Sequence, residues 1–320
     1  MQIAIAPWAV DESGSTAALA PLVAQARLAD RLGFHSLWLP ESHFQARGSN
    51  PAPLLLLAAI AAQTERIRLG TTSYLLTIRH PLLVAEEVAV LDRLSGGRLI
   101  LGVGRGFRAE LFDAFDVPRT GKRDRFEAAL ATMIRAWSGE PLLEPPQLKL
   151  TPLPVQKPHP PIWVAAFGPK ALAQAGRLGL PYLASPMEPI DRLLENYARH
   201  REALAPSAPT DLEVPIMRTM FVTPDAVLAD RVRAELLSQA QAIATSGLAA
   251  LRMPAVSDPD EWTLVGTQAK VLELAMRYRE KLGVTHMIAR AQVPGATPGE
   301  VERSIHALAE LAQSLAHATV

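Results

Sequence analysis

The sequence contains no cysteine. That excludes disulfides, thiolate metal sites and a cysteine nucleophile, and it fits a reducing compartment. Charge of one sign is missing as well. The 32 basic residues face 32 acidic ones, so no global field draws the chain to nucleic acid or to an anionic membrane surface. Aromatic residues are sparse, at 5%. Long apolar runs are absent, and the longest, Pro53 to Ala62, is too short to span a bilayer. Met1-Gln2-Ile3-Ala4-Ile5 enters a strand pattern at once, with no basic leader and no signal-type apolar stretch. The expectation is a soluble cytoplasmic protein with no nucleic acid and no membrane among its partners.

Other absences remove whole classes of chemistry. The eight histidines are scattered without ligand spacing, and no His-x-His sits on the first strand pattern, so no metal is expected. No Gly-x-Ser-x-Gly elbow is present to make a serine hydrolase. Glu86-Glu87 falls inside a helical pattern and reads as a solvated face.

What is present is a regular alternation of short apolar runs with amphipathic stretches of helical period. The strand candidates are Ile3–Ala6, Ser36–Leu39, Ile67–Thr71, Leu99–Val103, Ile162–Ala165, Tyr182–Ala184, Pro215–Phe221 and His286–Ala289. Leu19, Leu22, Val23, Ala26 and Ala29 form one helical stripe that stops at Gly33, a good C′ residue. Val84, Val88, Leu91 and Leu94 form another, which stops at Ser95-Gly96-Gly97. Short strands alternating with helices imply parallel βαβ units, and eight of them favour a closed barrel over an open sheet. The expected fold is α/β, a (β/α)₈ TIM barrel with insertion loops, and the expected organisation is a single domain over residues 1–320. Three connections are long: Arg105–Thr120, the proline-rich Gly139–Pro161 with a small strand at Gln147–Leu150, and the stretch from Gly247 to Gly266. The helix at Pro53–Ala62 is apolar on every face. It is covered either by a local loop or by a second copy of the chain, and the expected partner is a homodimer mate docked on that helix.

Active sites of such barrels lie at the C-terminal ends of the strands. The residues there include Trp8, Glu41-Ser42-His43-Phe44, Thr72-Ser73-Tyr74, Gly104-Arg105-Gly106-Phe107, Ala166-Phe167-Gly168, Ser185-Pro186-Met187, Arg218 and Arg290. This rim suits a flat aromatic cofactor with an anionic tail. Gly102-Val103-Gly104-Arg105-Gly106 lacks the immediate helix and later acidic residue of a dinucleotide fingerprint. Its glycines let backbone approach a ligand and Arg105 offers a forked cation for phosphate, or else the segment is a tight turn with a solvated arginine. Phe167-Gly168-Pro169 opens a helix that either binds phosphate through its free N–H groups or is simply capped. His43 beside Glu41 is either an acid/base pair or a hydrogen-bonded structural histidine. His80-Pro81 reads as structural.

Taken in order, several segments resemble the bacterial-luciferase-like flavin-dependent oxidoreductases. They run from Ala29-Asp30-Arg31-Leu32-Gly33-Phe34-His35-Ser36-Leu37-Trp38 through Glu41-Ser42-His43-Phe44, Arg68-Leu69-Gly70-Thr71-Thr72-Ser73 and His80-Pro81. They continue with Leu91-Asp92-Arg93-Leu94-Ser95-Gly96-Gly97-Arg98, Gly102-Val103-Gly104-Arg105-Gly106, Pro161-Ile162-Trp163-Val164-Ala165 and Leu264-Val265-Gly266-Thr267. The resemblance implies a barrel that is usually a homodimer. It implies reduced FMN supplied by a separate flavin reductase, molecular oxygen as co-substrate, and oxygenation of a small-molecule substrate. Arg105 and Phe167-Gly168 would hold the flavin phosphate. Thr72-Ser73 would carry a non-prolyl cis peptide beneath the ring, and Gly104, Ala165 and Ala166 would line it. Trp8, Phe44, Tyr74, Phe107 and Met187 would form the substrate pocket, with His43 as the catalytic acid/base.

Departures from luciferase itself are informative. The first of its paired histidines is Ser42 here, its reactive cysteine is Gly104, and the acidic and serine residues near its phosphate are Phe167 and Gly168. The expectation is a monooxygenase without light emission. Two alternatives stand beside it: an oxidoreductase of the same fold using a deazaflavin coenzyme, and a non-catalytic flavin-binding homodimer.

Overall fold

Strands buried at every position are those covered on both faces, the pattern of parallel strands beneath helices. β8 (Pro215–Val222) is buried at all eight of its residues and β5 (Leu99–Gly104) at all six. The computed structural model describes residues 1–8, 19–44, 49–143, 147–245 and 258–317. In chain order the remaining strands are β1 (Gln2–Ile5), β2 (Ser36–Leu39), β3 (Arg68–Thr71), β4 (Tyr74–Leu75), β6 (Ile162–Ala165), β7 (Tyr182–Leu183), β9 (Thr263–Gly266) and β10 (His286–Arg290). The helices are α1 (Leu19–Leu32), α2 (Pro53–Ala61), α3 (Pro81–Leu94), α4 (Ala109–Ala114), α5 (Lys122–Trp137), α6 (Pro169–Arg177), α7 (Ile190–Glu202), α8 (Ala226–Thr245), α9 (Gln268–Leu282) and α10 (Pro298–His317).

All eight expected strands are present, and two more join them. β4 follows β3 closely and pairs with the end of β5. β9 falls at the end of the stretch expected to be loop from Gly247 to Gly266. Its four residues are all buried, too few to show a period and preceded by the polar turn Pro259–Glu261. Residues 246–257 of that stretch lie outside the described residues. The small strand expected at Gln147–Leu150 is reduced to one antiparallel bridge, Leu143 to Leu148. The Arg105–Thr120 connection holds α4.

The chain divides into two compact units. One comprises Leu28–Leu37 and the described parts of Met1–Ala9 and Ala166–Val320. Here β1, β10, β8 and β9 pair side by side in parallel, with Ile3 opposite Met287, Met287 opposite Ile216 and Met220 opposite Leu264. The other comprises Trp38–Ala165 and the described part of Val10–Arg27. Here β3, β5 and β6 pair in parallel, with Leu69 opposite Leu99 and Gly102 opposite Trp163.

Two glycines of the second unit make room for close neighbours, one for an aromatic pair and one for backbone. Trp38 stacks on Trp163, with ring centroids 4.7 Å apart and planes 15° apart. A Cβ on Gly70 would meet the Trp38 ring at 2.4 Å, and one on Gly102 would meet the Thr71 carbonyl at 1.9 Å. Arg98, in the segment that carries the family resemblance, ties this unit together. Its guanidinium donates to the carbonyls of Ala61, Thr64, Ile67 and Ser95 and to the Thr64 hydroxyl, so it caps the end of α2. Asp92, fully buried, accepts from the backbone and side-chain amides of Gln156 at 2.9 and 2.7 Å and pins the proline-rich segment to α3. His80 is the N-cap of α3, its Nδ1 accepting from the Leu82 amide, in line with the structural reading. α2 itself buries Leu54, Leu57, Ile60 and Ala61 and leaves Leu55 72% exposed.

Candidate active site

β4 begins after a Thr72–Ser73 peptide that is cis, as the family resemblance leads one to expect. The Ser73 side chain turns toward β5, and a Cβ on Gly104 would meet its hydroxyl at 2.1 Å. Gly102 and Gly104 therefore accommodate the protein's own Thr71 and Ser73. Gly168, at φ 77°, has open space over it, an added Cβ meeting nothing within 4 Å, as has Gly121 at φ 67°.

Arg105 leaves β5 and turns inward, 7% exposed. Its guanidinium lies over the Phe126 ring at 4.7 Å and donates to the Ala165 carbonyl at 3.4 Å. Thr77 Oγ1 donates to its backbone carbonyl at 2.7 Å and fixes the turn. Burial, aided by the Arg123 charge, pushes its pKa down to about 10. Lys122 is shifted down too, by burial and then by Arg105 and Arg123. Three cations thus converge where α5 begins. Lys122 and Arg123 share its first turn with Asp124, and its N-cap Gly121 offers no side-chain cap, although cations are disfavoured at a helix N-terminus. Mutually repelling cations beside uncapped N–H groups are what a bound dianion would relieve. Lys122 and Arg123 escape sequence reasoning because they lie on a different element from Arg105. The signal available was two basic residues directly after a helix-opening glycine.

On the same unit, β2 leads to a buried charged network. Glu41, whose side chain is 0% exposed, accepts from His43 Nε2 at 2.6 Å and Arg79 Nη1 at 2.7 Å through one oxygen, and from the Leu75 amide at 3.0 Å through the other. A carboxylate only accepts, so Nε2 of His43 carries the proton and Nδ1 is the acceptor when the ring is neutral. Arg79 lies over the Tyr74 ring at 4.1 Å, and Tyr74 donates to Glu87 at 3.0 Å. Tyr74 is therefore a buried support of this network, and Glu87, exposed with Glu86 on the solvated face expected of them, accepts from it. Phe44, at φ 55°, and Phe115 pack against the His43 ring at 5.8 and 5.3 Å and against each other at 5.7 Å. Both are exposed apolar rings, as is Phe107. Phe115 was not anticipated, because it closes a short helix inside a stretch that reads as loop.

The remaining candidates divide between the units. Ala165 ends β6 in the second unit, while Ala166, Phe167 and Gly168 lead into α6 in the first. Ala166 is buried, Phe167 is exposed, and Gly168 is the N-cap of α6 without a side-chain cap. Trp8 is buried beyond β1, and Met187 is half-buried beyond β7. Arg218, expected at the rim, is instead fully buried in the middle of β8. Among the described residues no helix is long and apolar enough to cross a membrane.

The chain belongs to the luciferase-like monooxygenase family, whose model matches residues 2–314. It is 32% identical over 183 residues to the oxygenase component of a flavin-dependent trigonelline monooxygenase from Acinetobacter baylyi, covering 54% of this chain and 50% of that one. It is 29% identical over 276 residues to an F420-dependent glucose-6-phosphate dehydrogenase from Kineococcus radiotolerans, covering 82% and 80%. The crystal structure of the monooxygenase RslO1 from Streptomyces bottropensis superposes with a TM-score of 0.80 at 27% identity, over 99% of both chains. The fold class is that of the luciferase-like (β/α)₈ barrel enzymes. Matches to three of the curated relatives span between 46% and 60% of their lengths.

Proposed function

We propose that the chain is the oxygenase component of a two-component system, a single catalytic domain that uses reduced FMN from a separate reductase to oxygenate a small organic substrate. The observation that carries this reading is the convergence of Arg105, Lys122 and Arg123 at the start of α5, a charge set that fits the phosphate of FMN. The Thr72–Ser73 turn and Ala165 at the neighbouring strand ends would border its ring, with Gly104 seating Ser73 behind. Bound reduced FMN supplies two electrons to dioxygen, one oxygen atom entering the substrate and the other leaving as water.

The chain's own residues do the rest. Glu41 fixes the His43 ring by its Nε2–H and leaves Nδ1 to take or return a proton at the substrate. Arg79 neutralises Glu41, so Glu41 orients the ring. Phe44, Phe107 and Phe115 exclude water and favour an apolar substrate body. Homodimerisation through α2 is part of the proposal. It is supported by exposed Leu55 on α2 and by Leu83, Val90 and Leu94 exposed on α3.

A second reading, hydride transfer with a deazaflavin, is favoured by the F420-dependent relative that matches most of the chain. Anaerobic titration with reduced FMN and with reduced F420 separates the two. Tight binding of FMN, followed by oxygen consumption with a reductase and substrate, is expected. Tight binding of F420 alone overturns the first reading.

A further inference from the structure

Arg290 ends β10 and has no part in the flavin reading. The sheet register fixes where it lies. Arg218 of β8 sits over the Tyr278 ring of α9, 4.9 Å from its centroid, and donates to the carbonyls of Ser185, Met217 and Glu188. Successive residues of a strand face opposite sides of the sheet, and residues in register on neighbouring strands share a side. Arg218 is in register with Ala289, and Thr219 with Arg290. Arg290 therefore stands beside Thr219 on the side opposite α9. Along its other flank the Ala6 amide donates to the Ala289 carbonyl, which brings the strand end that continues to Pro7-Trp8 alongside.

The two arginines differ in what they hold. The Arg218 fork is engaged by backbone carbonyls, whereas the Arg290 side chain makes no hydrogen bond or ion pair with any described residue. It keeps exposed area, yet burial by the surrounding protein lowers its pKa. It is an exposed guanidinium at the end of β10, on the side of the sheet opposite α9. Its planar fork of donors matches the two oxygens of a carboxylate.

We propose that Arg290 is a substrate-binding residue that takes a carboxylate of the organic substrate and so selects acids over their neutral isosteres. This rests on the reading of a substrate at the strand ends, but not on which flavin is used. It leaves the phosphate to Arg105, Lys122 and Arg123.

The test titrates the full-length protein, with and without FMN, against matched pairs by calorimetry. The pairs are benzoate and benzamide, phenylacetate and phenylacetamide, and cyclohexanecarboxylate and its amide. At least one acid is expected to bind about tenfold or more tightly than its amide, a charge-assisted contact's worth. Arg290→Gln should abolish that preference and Arg290→Lys keep part of it, with FMN affinity unchanged in both. Absence of any Arg290-dependent acid preference across the pairs overturns the proposal. So does loss of FMN affinity in Arg290→Gln, which would assign the residue to the flavin phosphate. If FMN fails to bind the wild-type protein while the acid preference persists, the flavin reading falls and this one stands. Should Arg290→Gln not fold, phenylglyoxal labelling of the wild-type protein decides. Arg290 should be modified, and the acids but not the amides should protect it; equal protection by both overturns the assignment.

Discussion

Arg105→Ala removes a cation that the free protein holds at a cost and that the flavin phosphate would reward. In the free protein its pKa is pushed down to about 10 by burial and by Arg123. It lies over the Phe126 ring at 4.7 Å and donates a long bond of 3.4 Å to the Ala165 carbonyl. Truncation therefore relieves repulsion on Lys122 and Arg123 while opening a void above Phe126, and the two partly offset. The expected stability change of the free protein is within about 1 kcal/mol. Binding behaves differently, because a hydrogen bond between charged groups contributes about 1.5–3 kcal/mol. That corresponds to a rise of roughly 10- to 150-fold in the Kd for FMN. Riboflavin has the same ring and no phosphate, so its Kd should change less than about twofold by the same reasoning. Fluorescence titration of the reduced and oxidised forms under nitrogen gives both numbers. Equal weakening of FMN and riboflavin would place Arg105 under the ring and refute the phosphate assignment, as would no weakening of either.

Four further outcomes follow from the same structure. Glu41→Gln keeps an acceptor near His43 but removes the charge that Arg79 and His43 share; ¹⁵N NMR should show the Nε2-protonated tautomer in the wild type and a mixture in the variant, and an unchanged tautomer would show that Glu41 does not set it. Asp92→Ala strands both amides of Gln156 in a buried site and should cost about 2–4 kcal/mol in urea unfolding; a loss under about 1 kcal/mol would mean that the proline-rich segment is held elsewhere. Glu188 is held above the ordinary carboxylate pKa, chiefly by burial, so the folded state keeps a proton that the unfolded state releases. Its contribution is therefore present below the ordinary value and is lost as pH rises through the raised one; Glu188→Gln should flatten Tm across that window, and an unchanged slope would count against it. Paired substitution of Leu55 and Leu83 by Glu should convert a dimer to monomers in sedimentation velocity without changing FMN affinity; a wild-type monomer would end the dimer proposal.

The alternation of apolar runs with helical stripes was enough to read eight strands, the class of the fold and the strand-end location of the site. Those features are local: a stripe ending at Gly33 or Gly97 needs no partner to be recognised. Arg105 was legible for the same reason, since a cation after a glycine-rich strand end is visible in one segment. β9 was not, because four buried residues after a polar turn carry no period. Nor was the reason for Gly102 and Gly104, which depends on Thr71 and Ser73, residues that reach them only once β3 and β5 pair. Lys122 and Arg123 join Arg105, and Phe115 joins His43, across separations that only the packed chain closes. Arg218 and Arg290 looked alike as arginines near strand ends. The register of β8 with β10 sends one beneath a helix to bind carbonyls and leaves the other in reach of solvent, because a one-residue step along a strand reverses the face a side chain takes.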